Sequence, residues 1–117
     1  MAGLTTHVLD LTHGTPADHV EIDLYTIKGK NKEHIKTDTT NLDGRLDTPL
    51  LTELEIHQGE FEIVFHIGSY FKRKGVELEE PNFLHAVPVR FGISKPDSHY
   101  HVPLLVSPWG YQVYRGS

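Results

Sequence analysis

The residue pattern predicts an all-β domain, a sandwich or a small barrel. Three observations carry this. Apolar side chains recur at every second position in several stretches, the mark of strands with one buried face. Those stretches are short and are separated by residues that favour turns. The chain has 117 residues, and roughly 100 residues is an ordinary size for one sandwich domain.

The elements follow in order. Residues 4–11 form the first expected strand. Val20-Glu21-Ile22-Asp23-Leu24-Tyr25-Thr26 alternates cleanly and is the second. Lys28-Gly29-Lys30-Asn31 reads as a hairpin connection to a weaker alternation over residues 34–40, rich in β-branched residues. Asn41-Leu42-Asp43-Gly44 is a turn, with Gly44 available for positive φ. Phe61, Ile63 and Phe65 alternate with Glu62 and Val64 and form another strand. Residues 87–93, 100–106 and 111–114 complete the set. Only residues 69–74 look helical, with Ser69 as N-cap and Gly75 as the stop. No repeat, low-complexity tract or linker divides the chain, so a single domain over 1–117 is expected.

Composition excludes several classes of function. There are no cysteines, which removes disulfides, thiolate–zinc sites and cysteine nucleophiles. A net charge of −5 with neutral histidines gives no support to a nucleic-acid partner. No stretch approaches the roughly 18 apolar residues of a transmembrane helix, so no membrane partner is expected. The first residues lack a basic region followed by an apolar one, and the last are not a peroxisomal address. The expected compartment is therefore the cytoplasm. The count that stands out is nine histidines.

Two of the strands place histidines on the face away from the core. Tyr100, Val102, Leu104 and Val106 form an expected core face, which turns His99, His101, Pro103 and Leu105 outward. In the first strand Thr5, His7 and Leu9 share a face opposite Val8. Mixed apolar and histidine character suits a contact between subunits. The His99-Tyr100-His101 pair puts two rings on one side of a strand, about 6.6 Å apart along the chain. With His7 it offers three zinc ligands. The competing reading is a metal-free acid–base pair, since imidazole exchanges protons near neutral pH. Arg45 follows the turn and provides a guanidinium fork for carbonyl or anionic oxygens. Tyr114-Arg115-Gly116-Ser117 puts a tyrosine and an arginine within four residues of the terminal carboxylate. His13, His19, His34, His57, His66 and His85 are read as structural or solvated. Glu77, Glu79 and Glu80 are read as a solvated loop. There is no glycine-rich phosphate loop and no Gly-x-Ser-x-Gly elbow.

Four blocks together resemble the 5-hydroxyisourate hydrolases of the transthyretin-like family. They are Leu4-Thr5-Thr6-His7-Val8-Leu9-Asp10, Thr40-Asn41-Leu42-Asp43-Gly44-Arg45, His99 through Pro108, and Tyr114-Arg115-Gly116-Ser117. They arrive in the family's order and span essentially the whole chain. The last block with His-x-His upstream separates the hydrolases from transthyretin proper, a hormone carrier of the same fold. The resemblance implies a transthyretin-like β-sandwich of two four-stranded sheets with one short helix. It implies a homotetramer, a dimer of dimers, with sites in a channel at the dimer–dimer interface. It also implies that His7, Arg45 and His101 are catalytic. His7, Arg45, His99, Tyr114, Arg115, Gly116 and Ser117 would bind substrate, with no metal and no cofactor.

The reaction so implied opens the six-membered ring of 5-hydroxyisourate, giving 2-oxo-4-hydroxy-4-carboxy-5-ureidoimidazoline in urate degradation. Water must lose a proton, the oxyanion must be stabilised and the leaving nitrogen must be protonated. Two histidines can divide the proton work, and Arg45 can offset the oxyanion charge. Two other readings stand beside it: a transthyretin-like carrier of a small ligand, and a zinc-dependent cyclic-amide hydrolase using His7, His99 and His101.

Overall fold

The computed structural model describes residues 2–117. Eight strands form two four-stranded sheets. They are β1 (Gly3–Asp10), β2 (Thr15–Pro16), β3 (Glu21–Lys28), β4 (Asn31–Thr39), β5 (Gly59–Phe65), β6 (Val87–Ile93), β7 (His99–Ser107) and β8 (Gly110–Val113), with one helix, α1 (Ile67–Arg73), between β5 and β6. The first sheet has the order β2-β1-β7-β8 and the second β4-β3-β5-β6. Every pairing is antiparallel except β1 with β7, which run parallel with Thr5 opposite His101.

The alternation read from the sequence is what packs the sheets together. Leu4 and Val8 of β1, Ile22 and Leu24 of β3, Phe61, Ile63 and Phe65 of β5, and Leu104 and Val106 of β7 are all fully buried. They share one core with Ile67 and Phe71 of the helix. Each such side chain contributes about 1.5–3 kcal/mol by leaving water. The weak alternation over residues 34–40 also has a structural reason. β4 is an edge strand exposed along most of its length, so it has no buried face to specify. Its register shifts opposite Leu24 and Tyr25, where Lys36 and His34 are the partners.

Two local expectations need correction. β2 is absent from the sequence reading, because two residues are too short to show a period. It pairs with the end of β1, Leu9 opposite Pro16. The helix starts at Ile67, two residues before the expected Ser69 cap. His66 holds the N-cap position without a side-chain cap bond. The early start follows from burial: Ile67 is driven into the core. It also follows from a substitute for the missing cap, since the Gly68 N–H donates to the His85 carbonyl (2.9 Å). A Cβ at Gly68 would fall 2.4 Å from the His85 ring, so this close approach requires glycine. The far end agrees with the sequence. Gly75 has φ 82°, and the N–H groups of Gly75 and Val76 donate to Lys72 and Phe71 in a Schellman pattern.

One buried carboxylate ties the helix to the first sheet. Asp10 is 1% exposed. It accepts hydrogen bonds from the Tyr70 hydroxyl (2.7 Å), the Thr12 N–H (2.8 Å) and the His13 ring (2.5 Å). Burial pushes the Asp10 pKa up, but the bonds from His13 and Tyr70 outweigh it and hold it below the usual carboxylate value. Asp10 is thus a buried anion that every neighbour satisfies. Tyr70→Phe removes one donor and should cost about 1.5–3 kcal/mol. A urea titration should show a lower midpoint with unchanged slope; an unchanged midpoint would mean the bond adds no net stability.

Candidate active site

The outer face of the first sheet carries the site. Along β1 and β7 the even-numbered residues are buried while Thr5, His7, Leu9, His99, His101 and Leu105 are half-exposed; Pro103, expected outward with them, is buried. The His99 and His101 rings lie nearly parallel, 16° apart in plane and 6.5 Å between centroids, close to the two-residue rise of a strand. The parallel register sets Thr5 beside them. The Thr5 Oγ1 is 2.8 Å from His101 Nδ1 and 3.1 Å from His99 Nε2.

The 41–45 turn delivers Arg45 to the same face. The Asn41 side-chain oxygen accepts from the Asp43 and Arg45 N–H groups, an Asx-type turn. The Val8 N–H donates to the Gly44 carbonyl (2.8 Å), and His7 and Arg45 form a β-bridge. Gly44 has φ 74°, and a Cβ there would stand 2.4 Å from the Val8 carbonyl oxygen. Glycine is therefore needed both for conformation and for the close approach that brings Arg45 to His7.

The last residues reach the site from the other side. The Gly116 N–H donates to the His101 carbonyl (2.7 Å). A Cβ at Gly116 would fall 2.7 Å from the His101 ring, so glycine leaves that ring its room. Ser117 joins Thr5, Arg45, Thr48, His99 and His101 around a cleft of about 220 Å³. Tyr114 and Arg115 are not in this cleft. They face a separate groove with Arg90, Phe91 and Tyr100. The Arg115 guanidinium stacks 4.0 Å over the Tyr100 ring and holds the segment in place. His7 stands beside the cleft, its Nε2 2.9 Å from the Asp43 carbonyl oxygen.

These contacts decide protonation. A carbonyl only accepts, so the His7 Nε2 carries hydrogen and the neutral ring keeps its lone pair on Nδ1. Burial pushes the His7 pKa below 6.5 and the Arg45 charge pushes it further, against opposing effects of Asp43. Burial also pushes His101 down, and the charges of Arg45, His7 and His99 add to this, against the opposing effect of a hydrogen bond with the Thr5 backbone. At neutral pH the two rings are therefore uncharged beside a permanent cation. The arrangement provides two neutral imidazoles able to take a proton and one guanidinium able to meet developing negative charge.

Sequence reading named His7, Arg45, His99, His101 and residues 114–117, but not Thr5, Asn41 or Thr48. Asn41 had a signal, the Asx position of its own turn. Thr5 had only its shared strand face with His7 and Thr48 had none, because their place depends on pairing between distant segments. The remaining histidines have structural partners or lie at the surface. His34 and His66 both contact Asp23, and His13 contacts Asp10. Among the described residues no three His, Asp or Glu side chains are grouped to hold a metal ion.

The molecule is thus a β-sandwich that gathers imidazoles and a guanidinium on the outer face of one sheet. The chain belongs to the HIUase/Transthyretin family, whose model matches residues 4–116. It is 54% identical over 114 residues to 5-hydroxyisourate hydrolase 2 of Rhizobium meliloti, covering 97% of this chain and 95% of that protein. A crystal structure of an (S)-allantoin synthase superposes with a TM-score of 0.91 at 44% identity; the match covers 98% of this chain and spans 43% of that longer one. The structure of Klebsiella pneumoniae 5-hydroxyisourate hydrolase superposes with a TM-score of 0.78 at 32% identity, covering 97% of this chain and 98% of that one.

The charge relation predicts a titration result. Arg45→Gln should raise the pKa of both His7 and His101 toward the ordinary imidazole value, with burial still holding them below it. Ring-proton NMR titration measures this, and unmoved values in the variant would rule out the coupling. The sign for stability follows. Rings that are more acidic when folded favour the folded state above about pH 6.5 and lose that contribution as pH falls.

Proposed function

We propose that this chain hydrolyses 5-hydroxyisourate to 2-oxo-4-hydroxy-4-carboxy-5-ureidoimidazoline, a step of urate degradation. The observation that carries the proposal is the placement of Arg45 against two neutral imidazoles, His7 and His101, beside one cleft. Full-length similarity to 5-hydroxyisourate hydrolases supplies the substrate.

The division of labour follows from the reaction. One of the two histidines takes a proton from the attacking water, and the other returns one to the leaving ring nitrogen. Each transfer is worth roughly 10²–10⁴-fold. Arg45 holds the substrate oxygens and offsets the oxyanion. Ser117 and His99 complete the pocket wall, and Gly116 gives the His101 ring its position. Arg115 anchors the segment, and Tyr114, exposed outside this cleft, is offered to the cleft of a neighbouring copy. No cofactor enters this scheme.

We also propose a homotetramer, a dimer of dimers in the cytoplasm, with the cleft at the interface between dimers. Half-exposed Leu9 and Leu105 on the histidine face suit such a contact. No helix is long and apolar enough to cross a membrane among the described residues.

Freshly generated 5-hydroxyisourate, followed spectrophotometrically, tests the activity; decay no faster than the blank would end the hydrolase reading. In that assay His101→Asn should lower kcat by at least about 10²-fold with assembly intact. Wild-type turnover in that variant would remove His101 from the mechanism. The pH profile is a further check. A base must be neutral, so the acidic limb of kcat/KM should lie below pH 6.5, the side to which both rings are shifted. A limb above 6.5 would exclude both rings as the base.

A further inference from the structure

We infer that Thr5 is a positioning residue that couples His101 to His99 as a proton relay. Its hydroxyl contacts both rings, at His101 Nδ1 (2.8 Å) and His99 Nε2 (3.1 Å). The inference rests on the hydrolase reading and assigns two residues that the basic scheme leaves without a proton role.

The argument is one of donor count. A threonine hydroxyl has a single hydrogen to donate, and it accepts with its lone pairs. It cannot donate to both rings at once. It could accept from both, but its own hydrogen would then have neither ring as partner; two arrangements use the hydroxyl as donor to one ring and acceptor from the other. In the first, Thr5 donates to His99 Nε2 and accepts from His101 Nδ1–H. The neutral His101 then keeps its lone pair on Nε2 and is a base. In the second, Thr5 donates to His101 Nδ1 and accepts from His99 Nε2–H. His101 then carries its hydrogen on Nε2 and is an acid. Rotation of one hydroxyl therefore goes with the acid or base character of His101.

The two arrangements interconvert by a balanced transfer. Water gives a proton to His101 Nε2. His101 passes its Nδ1 hydrogen to Thr5 Oγ1, and Thr5 passes its own hydrogen to His99 Nε2. His101 ends neutral with its hydrogen on Nε2, and the added positive charge rests on His99. Reversal of the same steps returns the proton. The relay removes the cation from His101, where Arg45 and His7 oppose it.

The strand register supplies this geometry. Thr5 and His101 are register partners across the parallel β1–β7 pairing, and Gly3 is opposite His99. Thr6, the next residue, donates its hydroxyl to the Val102 carbonyl (2.7 Å) and locks the two strands in that register.

The tests are Thr5→Val, which keeps shape and β-branching but removes the hydroxyl, and Thr5→Ser, which keeps the hydroxyl. Thr5→Val should lower kcat by about 10- to 100-fold, part of the usual range for acid–base catalysis, with KM changed less than about 2-fold. Thr5→Ser should recover most of the loss. Nitrogen-15 shifts of the ring nitrogens supply a readout that needs no turnover. In the native protein, protonation of His99 should switch the His101 hydrogen from Nδ1 to Nε2, and Thr5→Val should abolish this tautomer linkage while Thr5→Ser retains it. Linkage that persists in Thr5→Val overturns the inference, whatever happens to kcat. A native protein inert toward 5-hydroxyisourate would fail the functional reading instead, and the ring shifts would still decide the role of Thr5.

Discussion

The pairing of β1 with β7 is the constraint on which the site is built. It joins segments more than ninety residues apart and is parallel, so no tight turn sets its register. Hydrophobic alternation sets it instead. Leu4 and Val8 must face the core, and so must Val102 and Leu104. A slip of one residue would turn these outward and bury the histidines. The same register that seals the core therefore places Thr5 beside His99 and His101, and the buried Thr6 hydroxyl holds it there through the Val102 carbonyl.

Electrostatics then organise what the register assembles. Arg45 arrives through a turn that depends on Gly44 for its close approach to β1, and its charge falls on two half-buried imidazoles. A cation beside neutral bases is an arrangement that an isolated surface histidine does not have. It keeps His7 and His101 uncharged near neutral pH and leaves the guanidinium as the fixed positive group. The contrast with Asp10 is instructive. There a buried charge is satisfied by every neighbour and serves stability, whereas the site keeps proton acceptors open.

Most strands were legible because one buried face imposes a period of two. β6 was read at its observed bounds. β2 was invisible because two residues have no period, and β4 was faint because an edge strand has no face to bury. The helix start was misplaced because a serine was read as the cap, while burial of Ile67 and a loop carbonyl fixed the true start. Among the site residues, those belonging to contiguous blocks were named from the sequence. Thr5 was noticed only as a neighbour of His7 on one strand face.

Local chemistry is written along the chain: which positions face inward, where a glycine turn falls, and which side chains can exchange protons. Those properties depend on near neighbours, so a linear reading reaches them. Partnership depends on distant segments. Tyr114 and Arg115 stand next to Gly116 and Ser117 in sequence, yet they turn into a different groove, because Arg115 stacks on Tyr100. The hydroxyl between two imidazoles exists only once β1 lies beside β7. Such contacts follow from packing the whole core at once, and no short stretch of residues encodes them.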